Sequence, residues 1–367
     1  MARKLIFSFE LEPGMVVFED VFDPTGRLIL PKGSPLDDET ISKLNFFNIQ
    51  EVPIDDEAGK EEAKPELVIP EEHINSDYTD KLKATEEYTL FSGDYKSLVT
   101  LIKRNLDDLV TNHKPVDEDA IISGIFELIK DCKTMIQVME ILHNLEPTEE
   151  QAYHHCLNVA VISLILAKWL RLPKDEQRKI VLAGVLHDVG KLTIPTEVLN
   201  KTGRLTDEEF ALIKSHVRRG YDIIRDLDYD VKIKEAVLLH HERCDGSGYP
   251  FKVTGDKISS YAKIIAVADV YDAMTSARTY RKGLSPFDVI KIFENEGLYK
   301  YDPQYVMTFL ENIVSSYLHN NVLLSDGRVG EIIMINSTCL YRPIIKVGPQ
   351  EFVNLISSPD LTIEALV

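Results

Sequence analysis

Between Glu149 and Leu318 apolar residues recur at helical spacing almost without a break, and this run of pattern dictates a mainly α-helical core. Pro173 opens a helix expected to run to Gly190. Thr206-Asp207-Glu208-Glu209 is a capping box that starts another, Ala262 to Thr275 reads as a buried helix, and Pro303 to Leu318 as a further one. The longest apolar stretch, Val159 to Leu170, contains Ser163 and Lys168 and is too short to span a bilayer, so no membrane insertion is expected.

On either side the pattern changes. Met15 to Phe18 and Leu28 to Leu30 flank Asp23-Pro-Thr-Gly26 and are expected to form a hairpin, Leu36-Asp37-Asp38 opens a short helix, and a last β-like run covers Glu51 to Ile54. This predicts a small α+β module. From about 55 to 80 the chain is acidic and carries Pro65 and Pro70, as a linker does. Two helices are expected near 80–112 and 117–144. After Asn321, Val322-Leu-Leu and Val329-Gly-Glu-Ile-Ile surround Asp326-Gly327, which predicts a hairpin in a short β-rich appendage. The expected organisation is an N-terminal module over 1–145, a helical domain over 146–320 and the appendage over 321–367.

The net charge of −19 on 367 residues argues against DNA, RNA or an anionic membrane surface as a partner. It is unevenly spread: residues 1–150 hold 15 Lys and Arg against 33 Asp and Glu, whereas residues 151–367 hold 26 against 27. The helical domain and its appendage are thus almost neutral, and an anionic substrate remains admissible there. Four cysteines without a CxxC pair suit a reducing compartment, and the N-terminus has no apolar signal-peptide core, so a cytoplasmic protein is expected.

Six of the ten histidines, His154, His155, His187, His216, His240 and His241, fall between residues 154 and 241. His187-Asp188 closes the apolar run Ile180 to Leu186 just before Gly190, so both side chains should emerge where a helix ends inside the protein. There the carboxylate can bridge two divalent cations while the imidazole binds one, or the pair can be a plain buried hydrogen bond. His240-His241 follows the apolar run Ala236 to Leu239. Adjacent residues on a helix point about 100° apart, so the two serve one metal only near a helix end, which Gly246 and Gly248 supply. Asp269 lies on the apolar stretch Ile264 to Val270, where a lone carboxylate is costly unless a cation meets it. Asp272, one turn on, can do the same or orient a ligand. His155 shares a face with Val159, Ile162 and Leu166 and looks to the core, which sets it apart from His154. Two divalent cations about 3.5–4 Å apart, held by imidazoles and a shared carboxylate, are a standard means of phosphoester hydrolysis, because the pair generates hydroxide at neutral pH and stabilises both in-line oxygens.

In this order, His155, His187-Asp188, His216, His240-His241 and Asp269 resemble the metal-binding signature of the HD superfamily of phosphohydrolases. The block from His240 to Pro250, with Gly248-Tyr249-Pro250, resembles the HD-GYP family of bacterial cyclic di-GMP phosphodiesterases, and the likeness covers about Glu149 to Leu318. It implies an HD-type helical bundle and a metal-dependent phosphodiesterase that opens cyclic di-GMP to pGpG, with GMP as a further product, through a metal-bound hydroxide. By the same resemblance, His155, His187 and Asp269 hold one metal, His216, His240 and His241 the other, and Asp188 bridges them. Lys191 contacts the scissile phosphate and assists the leaving group, while Tyr249, Arg278 and Arg281 contact substrate. The two metals are expected to be iron first and manganese next. Some members hold a third through a Glu one turn before the first His; Gln151 stands there, so a third metal would need Glu150 to swing in. Two other readings keep the fold: a hydrolase of another cyclic dinucleotide or a nucleoside polyphosphate, and a signalling scaffold that binds nucleotide without turnover, against which the intact ligand set argues. The N-terminal module has no chemistry that selects among regulator binding, homodimer or signalling-partner contact, and structural cover.

Overall fold

The structure, a computed structural model, describes residues 3–7, 11, 13–22, 28–37, 40, 41, 44, 49, 51–55, 82–145, 150–199, 201, 205–276 and 284–367. The chain divides into two compact units, residues 1–69 with 194–213 and residues 70–193 with 214–367.

The first unit contains β1 (Arg3–Phe7), β2 (Val21–Phe22), β3 (Leu28–Leu30) and β4 (Glu51–Asp55), with β1 antiparallel to β4 and β2 to β3. The strand facing Leu28–Leu30 is therefore Val21–Phe22 and not the expected Met15 to Phe18, which makes only isolated bridges, Val16 to Pro35 and Val17 to Ile54. Pro35 and Pro53 lie beside that run, and without N–H groups they cannot extend a ladder along it. The turn Asp23–Gly26, the linker beyond Asp55 and most of the helix expected after Leu36 lie outside the described residues. Val17, Leu36, Leu44, Val52 and Ile54 form the buried side. The capping box is present: Thr206 N–H donates to the Glu209 carboxylate at 2.7 Å and Glu209 N–H to the Thr206 hydroxyl at 3.2 Å, opening the helix Asp207–Lys214.

The second unit is helical, with a sheet at its C-terminal end. α1 (Glu86–Asn112) starts at Thr85, whose hydroxyl accepts from Tyr88 N–H. The helix expected over 117–144 is two, α2 (Glu118–Leu128) and α3 (Met135–His143), because Lys130-Asp131 breaks the apolar stripe and Thr134 caps a new start. α4 (Gln151–Trp169) is buried on every side from Cys156 to Ala167. α5 (Lys174–Leu186) stops four residues before Gly190. From His187 the chain turns through a 3-10 segment, Val189–Thr193, into α6 (His216–Ile224), α7 (Val231–Leu239), α8 (Ser260–Thr275), α9 (Pro286–Ile292) and α10 (Pro303–Ser316) by way of the intervening segments. Helices that are apolar all round belong at the centre of a bundle, and α4 and α8 occupy that place.

Two close approaches set the geometry of this core. A Cβ on Gly184 of α5 would lie 2.6 Å from the Ala160 Cα of α4, so these helices touch backbone to backbone. A Cβ on Gly190 would lie 2.0 Å from the His216 carbonyl oxygen and 2.6 Å from the Gly220 nitrogen. Ending α5 early is what lets the chain at Gly190 lie against α6.

The appendage is a five-stranded antiparallel sheet of β5 (Asn321–Leu324), β6 (Val329–Met334), β7 (Ile344–Lys346), β8 (Phe352–Asn354) and β9 (Ile363–Leu366), in the order β8-β7-β6-β5-β9. Its hairpin turns at Asp326-Gly327 as expected, with Leu323 opposite Val329 and Gly327 at φ 85°. The mainly α class with a small α+β module and a β-rich tail stands. Among the described residues no helix is long and apolar enough to cross a membrane.

Gly184→Ala is expected to destabilise the protein by about 1–3 kcal/mol, since the added methyl meets backbone that cannot move aside. Urea denaturation of the two proteins measures it, and an unchanged midpoint would contradict the α4–α5 contact.

Candidate metal centre

Five segments end at or pass one buried point. His155 lies in the second turn of α4, His187 caps α5, His216 begins α6, His240 caps α7, and Asp269 sits on the inner face of α8. The imidazoles are oriented by helix carbonyls. His187 Nδ1 lies 2.7 Å from the Gly184 carbonyl, and His240 Nδ1 lies 3.1 Å from those of Ala236 and Val237. Each Nδ1 then carries the proton, which leaves Nε2 facing inward as a lone pair. The end of α7 at Leu239 also solves the problem of two adjacent histidines: the His240 and His241 rings lie side by side, with centroids 4.2 Å apart.

Asp188 is the centre of the arrangement and is 5% exposed. Its Oδ2 faces His187 Nε2 at 3.3 Å, His155 Nε2 at 3.4 Å and Lys191 Nζ at 2.6 Å. Its Oδ1 faces His216 Nε2 at 3.2 Å and His240 Nε2 at 3.8 Å. Atoms able to ligate a metal fall into two sets, each within 4.8 Å: His155, His187 and Asp188, and Asp188, His216, His240 and His241. Asp269 stands between the sets, with Oδ1 3.1 Å from His155 Nε2 and Oδ2 3.8 Å from His241 Nδ1. Asp272 lies one layer out and accepts from His155 Nδ1 at 2.7 Å.

The charge states suit cations. Burial alone would raise the Asp188 carboxyl, but the Lys191 ammonium and the imidazoles of His187 and His155 outweigh it and hold it well below the usual carboxylate range. Asp269 is held low against burial by His155 and His241. Burial pushes His240 down to about 4, and burial with the neighbouring His240 pushes His241 well below the ordinary imidazole range. His155 goes the other way: burial lowers it, yet hydrogen bonds to Asp188, Asp269 and Asp272 raise it well above that range. Among the described residues, His187 Nε2 and Asp188 Oδ1 are buried without a hydrogen-bond partner. Buried polar atoms are seldom left so. Two anionic carboxylates and inward lone pairs in two compact sets fit divalent cations.

The other sequence candidates divide. Lys191 is on the site, its ammonium on Asp188. Tyr249 stacks on His241 with ring centroids 4.7 Å apart and meets His216 edge-on at 6.4 Å. His154 is turned away from the cluster, with Nδ1 3.2 Å from the Tyr95 hydroxyl. Glu150 is paired with Lys103 at 2.5 Å, and Gln151 is exposed. Arg278 and Arg281 lie outside the described residues.

One contributor escaped the sequence reading. Glu242 is 2% exposed, and its carboxylate accepts three successive backbone N–H groups, Phe251 at 2.6 Å, Lys252 at 3.1 Å and Val253 at 3.1 Å. It closes the loop that returns Tyr249 to His241, where Tyr249 N–H donates to the His241 carbonyl at 3.2 Å. Next to His241 it reads as an ordinary solvated charge; the signal available was the turn-rich Asp245-Gly-Ser-Gly248 that must fold back on it.

Residues 136–305 match the family described as HD domain, a match that implies divalent-metal binding, and the His and Asp cluster within them could hold a metal. Over 208 residues the chain is 37% identical to a cyclic di-GMP phosphodiesterase of Pseudomonas aeruginosa, covering 56% of this chain and 50% of that one. Over 172 residues it is 34% identical to 3′3′-cGAMP-specific phosphodiesterase 1 of Vibrio cholerae, covering 47% and 40%. The chain thus spans half or less of the length of these curated relatives. Among solved structures, an HDG"Y"P protein of Bdellovibrio bacteriovorus shares the fold, with a TM-score of 0.52 over 85% of this chain and 99% of that one at 16% identity. The resemblance to the HD-GYP family is borne out.

Glu242→Ala leaves three backbone N–H groups without their charged acceptor and is expected to cost about 1.5–3 kcal/mol. Denaturant unfolding measures the loss, and a variant as stable as the parent would show that the carboxylate does not hold the loop.

Proposed function

We propose that the chain is a divalent-metal-dependent phosphodiesterase that opens cyclic di-GMP to linear pGpG, with GMP as the product of a second cleavage. The observation that carries this reading is the Asp188 carboxylate, whose two oxygens face two separate sets of imidazoles. His155 and His187 would hold one cation, His216, His240 and His241 the other, with Asp188 shared and Asp269 at the His155 side. The resemblance to the HD-GYP family favours iron first and manganese next, while the imidazole and carboxylate donors by themselves also suit zinc or nickel. The pairing of Glu150 with Lys103 supports two metals over three. Cations in such a site acidify water at neutral pH and offset charge on the in-line oxygens.

The chain's own groups would do the rest. Hydrolysis consumes one water: its oxygen joins phosphorus, the bond to the ribose 3′ oxygen breaks, and that oxygen takes a proton. Lys191, 29% exposed at its side chain and 2.6 Å from Asp188, is the ammonium available to the phosphate and the leaving oxygen. Tyr249, Arg278 and Arg281 would hold the nucleotide. The four cysteines are free, which suits action in the cytoplasm.

A second reading, hydrolysis of a mixed cyclic dinucleotide, draws on the name of the Vibrio cholerae relative. Turnover of cyclic di-GMP and 3′3′-cGAMP side by side by the metal-loaded chain separates the two, and preference for the mixed dinucleotide would replace the first reading by the second. His187→Ala and Asp188→Ala are each expected to abolish hydrolysis and metal retention. Elemental analysis and a nucleotide assay check both, and near-normal turnover in either variant would sink the assignment.

A further inference from the structure

Helix α1 precedes residues 136–305, which match the HD domain family, yet a series of hydrogen bonds connects it to His155 of the candidate metal centre. Tyr95 of α1, 2% exposed, donates its hydroxyl to Asn158 Oδ1 on α4 at 2.7 Å. The same amide donates from Nδ2 to Asp272 Oδ1 on α8 at 2.8 Å, where the Ser276 hydroxyl also donates at 2.9 Å. Asp272 Oδ2 is left for His155 Nδ1 at 2.7 Å.

This series has one self-consistent polarity. A carboxylate only accepts, so Asn158 turns its NH2 to Asp272 and its oxygen to Tyr95, which must then donate. His155 keeps a proton on Nδ1, and Nε2, 3.1 Å from Asp269 and 3.4 Å from Asp188, is the nitrogen that yields its proton to a cation. Two further contacts pin α1 beside this part of α4: Lys103 to Glu150 at 2.5 Å, and the Tyr153 hydroxyl to Asp107 at 2.6 Å. The Tyr95 and His154 rings also meet, with centroids 5.4 Å apart.

We infer that Tyr95 is a positioning residue for the metal centre: through Asn158 and Asp272 it fixes the tautomer and orientation of His155, so a helix outside the HD domain sets how tightly that position takes its metal. The inference rests on the reading of His155 as a ligand. Without Tyr95 the buried amide oxygen of Asn158 loses its donor, and the amide is no longer held from both ends.

The test is Mn2+ binding by the full chain after removal of metal, followed by calorimetry, together with turnover of cyclic di-GMP. Tyr95→Phe is expected to weaken Mn2+ affinity about three- to tenfold, below the loss typical for a group that bonds a ligand directly, and to lower kcat while KM stays within about twofold. Tyr229→Phe is the control, since this tyrosine is also buried but its hydroxyl serves Val116 N–H at 3.1 Å; it is expected to leave both readouts unchanged. Asn158→Asp, which sets a second carboxylate against Asp272, is expected to weaken Mn2+ binding by more than Tyr95→Phe. Unaltered Mn2+ affinity in Tyr95→Phe, whatever Asn158→Asp does, or an equal loss in Tyr229→Phe, would overturn the inference. His155→Ala keeps the two ideas apart: if it binds Mn2+ as the parent does, the ligand reading fails, whereas if it alone loses Mn2+, only the role of Tyr95 fails.

Discussion

A carboxylate held out of water among imidazoles is the constraint around which the helical domain is arranged. An ionised side chain in an apolar bundle is tolerated only when donors or cations meet it from most sides. Asp188 is met by His155, His187, His216, His240 and Lys191, which come from α4, the end of α5, the 3-10 segment and the starts or ends of α6 and α7. Bringing so many backbones to one point leaves no room for side chains between them. Gly184 and Gly190 are where that room is given up.

Much of the centre was legible because metal ligation imposes residue types and helix faces together. The face shared with Val159, Ile162 and Leu166 separated His155 from His154, and the structure turns His155 into the cluster and His154 toward Tyr95. The β5–β6 hairpin was legible from Asp326-Gly327, since a turn with positive φ needs such a pair. The end of α5 at Leu186 was not, because no residue there breaks a helix by propensity; it is set by the approach of α6 to Gly190. The first hairpin lies a few residues later than composition predicts, because β-like composition in Met15 to Phe18 says nothing of the prolines that lie beside it in space. Glu242 and Tyr95 were invisible for a related reason. Their partners are fixed by tertiary contact, and in Tyr95's case the partner is 63 residues away.

Net charge is a poor guide to such a site. The chain carries −19 in all, almost all of it before residue 151, while the chemistry sits in a nearly neutral stretch where a few buried groups set the local field. What a ligand meets is decided within a few ångströms, well inside the distance over which surface charge is screened.

Two of the helices that lead into the cluster, α5 and α7, do so from their C-terminal ends, and the histidines that cap them take up carbonyls of the last turn. Those ends carry partial negative charge, added to that of Asp188 and Asp269. The cationic groups at this pocket, Lys191 and the His155 imidazole, are both already engaged by these carboxylates. On the proposed function, the helix directions favour metal before nucleotide, and metal loss would release the substrate as well as stop its cleavage.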